Sequence, residues 1–234
     1  RLMSRVRREA AESPKTRKTG RILSSDVLFH AGLAHLEAHG TPGAAPATLG
    51  AALAQRDGIM VAFLALMPLR RRSLRCLELG RTVLQAGEAI VVALGPEDTK
   101  CGTVWESPLP APLRPLVRHY LDHARPMLLA RRRGPAHRLL WVTDRGGPYS
   151  DPYFAAHFGR VTARLFGRPI PPHFFRDAAA TTLARISPEA ARITRALLGH
   201  TSFRTAGRHY NHARQIEAGR QYAAMIERLR GEER

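Results

Sequence analysis

The segment from Ile59 to Leu69, IMVAFLALMPL, is the longest apolar run in the chain, and it limits what the chain can fold into. Its spacing predicts the later half of a helix running from about Thr48 to Met67. Pro68 ends that helix, because its ring cannot continue the helical hydrogen-bond ladder. A membrane span needs about 20 apolar residues, far more than this run supplies. The run is therefore expected to be a core helix covered on all sides, and no membrane partner is expected. With 234 residues and 44% apolar content, the chain suits one large domain, or a domain plus an appendage, with a real core.

The remaining pattern is mixed α+β and mainly helical. Ser24 and Ser25 precede a helical repeat of Val27, Leu28, Ala31 and Leu36, and both resemble N-caps. Residues 40–47 read as a loop. After Pro68, Leu74 and Leu77 predict a short helix with Arg70 at its N-terminal end. Thr82–Leu84, Ala89–Leu94 and Thr103–Glu106 read as three short strands of a small antiparallel sheet, with Lys100 at the tip of the second hairpin. Leu113–Leu129 has helical spacing, and Leu139–Val142 reads as a short buried strand. Ser150 or Asp151 is expected to cap a helix from Pro152 to Phe166. Pro171-Pro172 is expected to start another helix, and Gly199 is a C-cap candidate. A terminal helix is expected from Ala213 to Arg230. Its stripe of Ile216, Tyr222, Ala223, Ile226 and Leu229 must be buried against its own domain or a neighbour.

The chain carries 37 Lys and Arg against 19 Asp and Glu, a formal charge of +18. Such an excess points to a polyanion, of which nucleic acid is the commonest. All but three of the basic residues are Arg, the better bidentate ligand for phosphate; the lysines are Lys15, Lys18 and Lys100. Residues 1–20 are basic and polar and read as a linker or arm. Because the sequence begins with Arg, a longer protein is expected. Residues 21–234 are expected to form one domain, which includes the terminal helix. No secretory signal is evident. Cys76 and Cys101 are too few for a disulfide framework or a zinc site, so a reducing interior is expected.

The chemistry-bearing residues gather between Pro171 and Tyr210. His173 and Arg176 lie at i and i+3, so a helix would carry them on one face. Arg holds two phosphate oxygens at once, and His moves protons near neutrality. His200 ends the run Leu198-Gly199, and Tyr210 follows ten residues later. Two imidazoles, a guanidinium and a phenol suit phosphoryl transfer to a tyrosine hydroxyl. Each group alone has a structural explanation: a surface pair, a hydrogen-bonding corner, a half-buried ring.

Taken in order, these residues resemble the tyrosine recombinases, or phage-type integrases. LGHTSFRTAGRHYN is similar to that family's Leu-Gly-His box and tyrosine, and PPHFFRDAAATTLA to its His-x-x-Arg box. PLRRRSLRCLEL resembles the first-arginine box, with Arg70 in the catalytic position and Arg71 or Arg72 as the alternatives in register. EDTKCG resembles the hairpin that bears the catalytic lysine, which falls on Lys100. The resemblance runs over about residues 21–225. The chain departs from the family pattern at Pro68, where the family usually has Gly, at Ser73, where it often has Glu, at Ala206, the second residue of a usual Thr-Thr pair, and by one extra residue between His200 and Tyr210.

The resemblance implies a catalytic fold with a small three-stranded sheet and a site made of Arg70, Lys100, His173, Arg176, His200 and Tyr210, with no cofactor and no metal. It implies that Tyr210 attacks a phosphodiester of double-stranded DNA, leaving a 3′-phosphotyrosyl link. The implied assembly is a dimer to tetramer on DNA, in the bacterial cytoplasm at the nucleoid. A catalytically silent DNA-binding module and a type IB topoisomerase-like enzyme are the competing readings.

Overall fold

The computed structural model describes residues 22–39, 44–100, 102–199 and 208–231. The expected linker at residues 1–20 lies outside the described residues, and so does His200.

Helix α1 spans Ser25–Ala38 and helix α2 spans Leu49–Leu66. The Thr48 side chain caps α2 by accepting the Ala51 N–H at 3.1 Å. Every residue from Ala54 to Leu69 is buried. With 18 residues and a mean hydropathy of 1.4, α2 is long and apolar enough to cross a membrane, yet 78% of it is buried inside the fold. Where α1 crosses α2, the two backbones approach closely. A Cβ added to Gly32 would lie 2.8 Å from Ala62 N and Gly58 O, and one added to Gly58 would lie 2.8 Å from Gly32 O. The expected serine caps of α1 are not used as such. Ser24 holds the N-cap position without a side-chain capping bond, and the Ser25 N–H donates at 2.8 Å to Thr182 Oγ1, far along the chain.

Beyond Pro68, α3 is a single short turn, Arg71–Arg75, with Arg70 at its N-cap position. The strands β1 (Val83–Ala86), β2 (Ala89–Leu94) and β3 (Trp105–Pro108) form an antiparallel sheet in the order β1-β2-β3. Val83 pairs with Val92, and Leu94 with Trp105. Both outer strands begin later than the sequence pattern predicts, because their threonines serve turns. Thr82 Oγ1 accepts the Glu78 N–H at 2.7 Å, and the Thr103 N–H donates to Thr99 Oγ1 at 3.0 Å.

The predicted helix over 113–129 is present in three parts: α4 (Leu113–His119), a π-helical turn (Tyr120–Ala124) and α5 (Arg125–Leu129). Pro126 accounts for the wider turn. It has no N–H to donate, and its ring would crowd the carbonyl four residues back; the Arg125 N–H reaches Tyr120 O instead.

Leu140, Trp141 and Val142 are buried as expected and Leu139 is half-buried, but the segment is not a strand of the sheet; it makes one isolated antiparallel bridge, Leu139 with Glu78. Side chains take the carbonyls that a neighbouring strand would have used. Arg125 Nη2 donates to Leu139 O at 2.8 Å, Tyr120 Oη to Leu140 O at 3.0 Å, and Arg56 Nη1 to Val142 O at 2.8 Å.

Four helices complete the chain: α6 (Asp151–Phe166), α7 (Pro172–Ile186), α8 (Pro188–Leu197) and α9 (Arg208–Gly231). Ser150 caps α6 by accepting the Tyr153 N–H at 3.3 Å. Helix α9 begins at Arg208, before the predicted Ala213, so Tyr210 lies in its first turn. Its apolar stripe packs on its own domain: Tyr222, Ala223 and Ile226 are buried, as is Ala218 beside them, and the Tyr222 hydroxyl donates to Ala65 O of α2 at 2.8 Å.

A buried ionic cluster joins α2 to α6. Asp57 Oδ1 accepts from Arg56 Nε at 2.9 Å and from Nη2 at 2.7 Å, and His157 Nε2 stands 2.8 Å from the same oxygen. Burial by itself would raise the Asp57 pKa. The His157 hydrogen bond and the Arg56 charge outweigh it and hold the carboxyl below its ordinary range. Asp57→Ala would leave the Arg56 guanidinium buried without its counter-charge, and a loss of about 3–5 kcal/mol is expected in urea unfolding. Because the folded-state pKa of Asp57 is depressed, its contribution is present above the ordinary carboxylate range and is lost as pH falls through the folded value. The urea midpoint of the wild type should therefore drop on acidification, and that of Asp57→Ala should drop less. At the α1–α2 crossing, Gly58→Ala should lower stability by about 1–3 kcal/mol, read as a fall in Tm.

Candidate active site

Three segments meet at one pocket: the exit of α2, the loop between β2 and β3, and the end of α8. Arg70 and Arg176 both line it, together with Ser73, Thr99, Thr103, Trp105 and Gly199. No carboxylate lines it among the described residues.

Arg70 reaches this position through the buried leucines on either side of it. Leu69, Leu74 and Leu77 are at most 5% exposed and fix the turn from α2 into α3. The neighbouring arginines separate by partner. Arg71 grips Asp151 at the start of α6, with Nη2 at 2.6 Å from Oδ2 and Nε at 3.1 Å from Oδ1. Arg75 Nη1 donates to Tyr149 O at 2.9 Å. Arg72 is exposed and is not among the lining residues. Of the three adjacent arginines, Arg70 is the one that faces the pocket.

Arg176 is held by two backbone carbonyls. Its Nη1 donates to Pro68 O and its Nη2 to Leu198 O, both at 2.7 Å. One guanidinium thus ties the Pro68–Arg70 turn to the end of α8, which only a planar fork of donors can do at such spacing. Trp105 supports the same turn from the sheet: its Nε1 donates to Leu197 O at 3.3 Å. Gly199 ends α8 with φ of +58°, and a Cβ there would meet Trp105 Cδ1 at 3.3 Å. A left-handed residue with little room for a side chain suits glycine.

The other expected site residues fall differently. Lys100 is exposed on the loop between Thr99 and Thr103, both of which line the pocket, but it is not itself among the lining residues. His173 is exposed in the first turn of α7, its ring centroid 4.8 Å from that of Phe174. His200, which follows Gly199, lies outside the described residues. Tyr210 is described only as backbone of the first turn of α9. Arg70 and Arg176 are therefore the pair that the described structure brings together. Sequence reasoning did not single out Trp105 or Asp98; a tryptophan on a predicted strand reads as core, and an acid in a turn reads as a cap.

Two guanidiniums around a pocket with no carboxylate among its described lining residues can hold an anion. The phage integrase family model matches residues 44–217, and the chain belongs to that family. No curated protein sequence matches it. Among solved structures, it is similar to the XerH site-specific recombinase bound to difH substrate in a pre-cleavage complex. That match has 15% identity and a TM-score of 0.54, and covers 77% of this chain and 47% of the other. The post-cleavage complex of XerH with palindromic difH substrate matches at 14% identity and a TM-score of 0.54, covering 94% of this chain and 55% of that one. The chain spans about half the length of these relatives, and at such identity the likeness concerns the fold.

Replacing Arg176 by Ala would leave the buried Pro68 and Leu198 carbonyls without their donor. A loss of about 1–3 kcal/mol is expected, measured by denaturant unfolding.

Proposed function

We propose that this chain is the catalytic domain of a site-specific DNA recombinase, which cuts and rejoins DNA strands through a 3′-phosphotyrosyl intermediate. The observation that carries the reading is the pairing of Arg70 and Arg176 on one pocket that no carboxylate lines among the described residues. Family membership over residues 44–217 and the charge of +18 agree with a DNA partner.

In this reading a scissile phosphate enters the pocket with its non-bridging oxygens on the two guanidiniums. The Tyr210 oxygen attacks phosphorus in line as the bond from phosphorus to the 5′ oxygen breaks. His173 takes the phenol proton, and Lys100 delivers a proton to the departing 5′ oxygen. Extra negative charge develops on the non-bridging oxygens in the transition state. Preformed cations stabilise it there more than in the ground state, which is what lowers the barrier. His200 adds a hydrogen bond to a phosphate oxygen. The bond energy is kept in the phosphotyrosyl link, so the 5′ hydroxyl of a partner strand can reverse the step and exchange strands. The protein works as a dimer to tetramer on double-stranded DNA, in the bacterial cytoplasm at the nucleoid.

The test uses a library of nicked duplexes with a randomised centre. Loss of the short fragment beyond the nick traps the covalent adduct, which detergent precipitation and sequencing recover. Wild type should yield an adduct on a definable sequence. Tyr210→Phe should yield none while binding DNA nearly as well by gel shift. Arg70→Ala and Arg176→Ala should each slow adduct formation by about 10²–10³. An adduct formed by Tyr210→Phe would show that the nucleophile lies elsewhere. No adduct from wild type would leave a silent DNA-binding module, and relaxation of supercoiled plasmid without strand exchange would favour a topoisomerase.

A further inference from the structure

Lys100 stands on an exposed loop, yet the residues around it are fixed from several directions. Asp98, two residues earlier, accepts from Arg81 Nη1 at 2.8 Å and from Nη2 at 2.9 Å, so the guanidinium binds its carboxylate in a two-bonded fork. Arg81 is itself aimed by Glu78, whose Oε2 accepts from Nε at 2.8 Å. Asp98 Oδ2 also accepts the Gly95 N–H at 3.3 Å. Ser73 Oγ donates to the Asp98 backbone carbonyl at 2.8 Å. The Asp98 side chain is only 10% exposed, although that of Arg81 is 44% exposed. Beyond Asp98 the loop is closed at its base: Thr99 Oγ1 donates to Thr103 O at 2.8 Å and accepts the Thr103 N–H at 3.0 Å.

We propose that Arg81, Asp98 and Ser73 form a clasp that positions the Lys100 loop against the Arg70 turn. All three are positioning residues, and the inference rests on the reading of Lys100 as the proton donor to the 5′ oxygen. Ser73 lies three residues after Arg70 and Asp98 two before Lys100, so one hydrogen bond joins the phosphate-holding turn to the donor loop. A lone exposed ion pair contributes little. A two-bonded Arg–carboxylate pair with a nearly buried acid is the stronger case. The Arg81 hydrogen bonds hold the Asp98 carboxyl below its ordinary range, so it is ionised, and the clasp closed, at neutral pH. A proton donor acts only within hydrogen-bond reach of the leaving oxygen, and an error of about 1 Å in position can cost about 10²-fold in rate.

The test compares two forms of the duplex recovered from the nicked library. One has the natural 5′ oxygen at the scissile position and the other a bridging sulfur, which leaves as thiolate without needing a proton. Asp98→Ala and Arg81→Ala should slow single-turnover adduct formation on the oxygen duplex by about tenfold or more. On the sulfur duplex they should return to within about threefold of wild type. Asp98→Glu, which keeps the carboxylate, should recover part of the oxygen rate. Equal slowing on both duplexes would mean general damage to the site, and an unchanged oxygen rate would mean that the clasp does nothing; either result overturns the inference. Lys100→Ala is run alongside. If sulfur does not rescue it, the donor assignment itself fails and the inference with it, an outcome distinct from failure of the clasp. A further arm needs no DNA: in Asp98→Ala, amide hydrogen exchange should quicken over residues 95–104 and stay unchanged in α2, and unaltered exchange over 95–104 would count against the clasp.

Discussion

A helix buried along its whole second half cannot be solvated on any face, and other parts of the chain must enclose it. That requirement organises the fold. Helix α1 is drawn so close that Gly32 and Gly58 touch through their backbones. The aromatic rings of Tyr120 and Trp141 cover another side, with the Trp141 centroid 5.7 Å from that of Phe63. Helix α9 closes a further side, its Tyr222 hydroxyl bonded to Ala65 O. Even the charged residues of α2 are internal, and Arg56 and Asp57 are tolerated there because they neutralise each other and His157 joins them.

The candidate site grows out of the point where this enclosed helix ends. Pro68 stops α2, and the turn behind it carries Arg70 between buried leucines. Arg176 then bonds the carbonyl of the same Pro68 and the carbonyl of Leu198. The proline that replaces the family's usual glycine thus keeps the acceptor the site uses, since proline loses a donor and not a carbonyl. A guanidinium with two of its donors fixed in place is already ordered before any anion arrives. Such preorganisation is what makes a preformed charge effective toward a transition state.

The sheet links the parts of the proposed chemistry. One end of β3 supplies Trp105 to the α8 turn. The loop before it carries Lys100, and Asp98 of that loop is bonded by Arg81 and by Ser73. Ser73 stands where the family often has Glu. The serine reaches a backbone carbonyl of the donor loop as a hydrogen-bond donor, which a carboxylate at the same place could not be.

Much was legible in the sequence because it depends on local rules. The apolar run from Ile59 to Leu69 required a core helix, Ser150 and Asp151 announced the start of α6, and the order of Arg, Lys, His-x-x-Arg, His and Tyr indicated the family. What the local pattern could not supply were bonds between distant segments. The strand expected at Leu139–Val142 was lost to Arg56, Tyr120 and Arg125, side chains that cap its carbonyls from elsewhere in the chain. That Arg70 and not Arg71 lines the pocket depends on Asp151, which engages Arg71 from 80 residues away. Hydrophobic periodicity determines which residues go inside. Only folding decides which polar groups meet there, because hydrogen bonds depend on distance and direction in space and leave no period in the sequence.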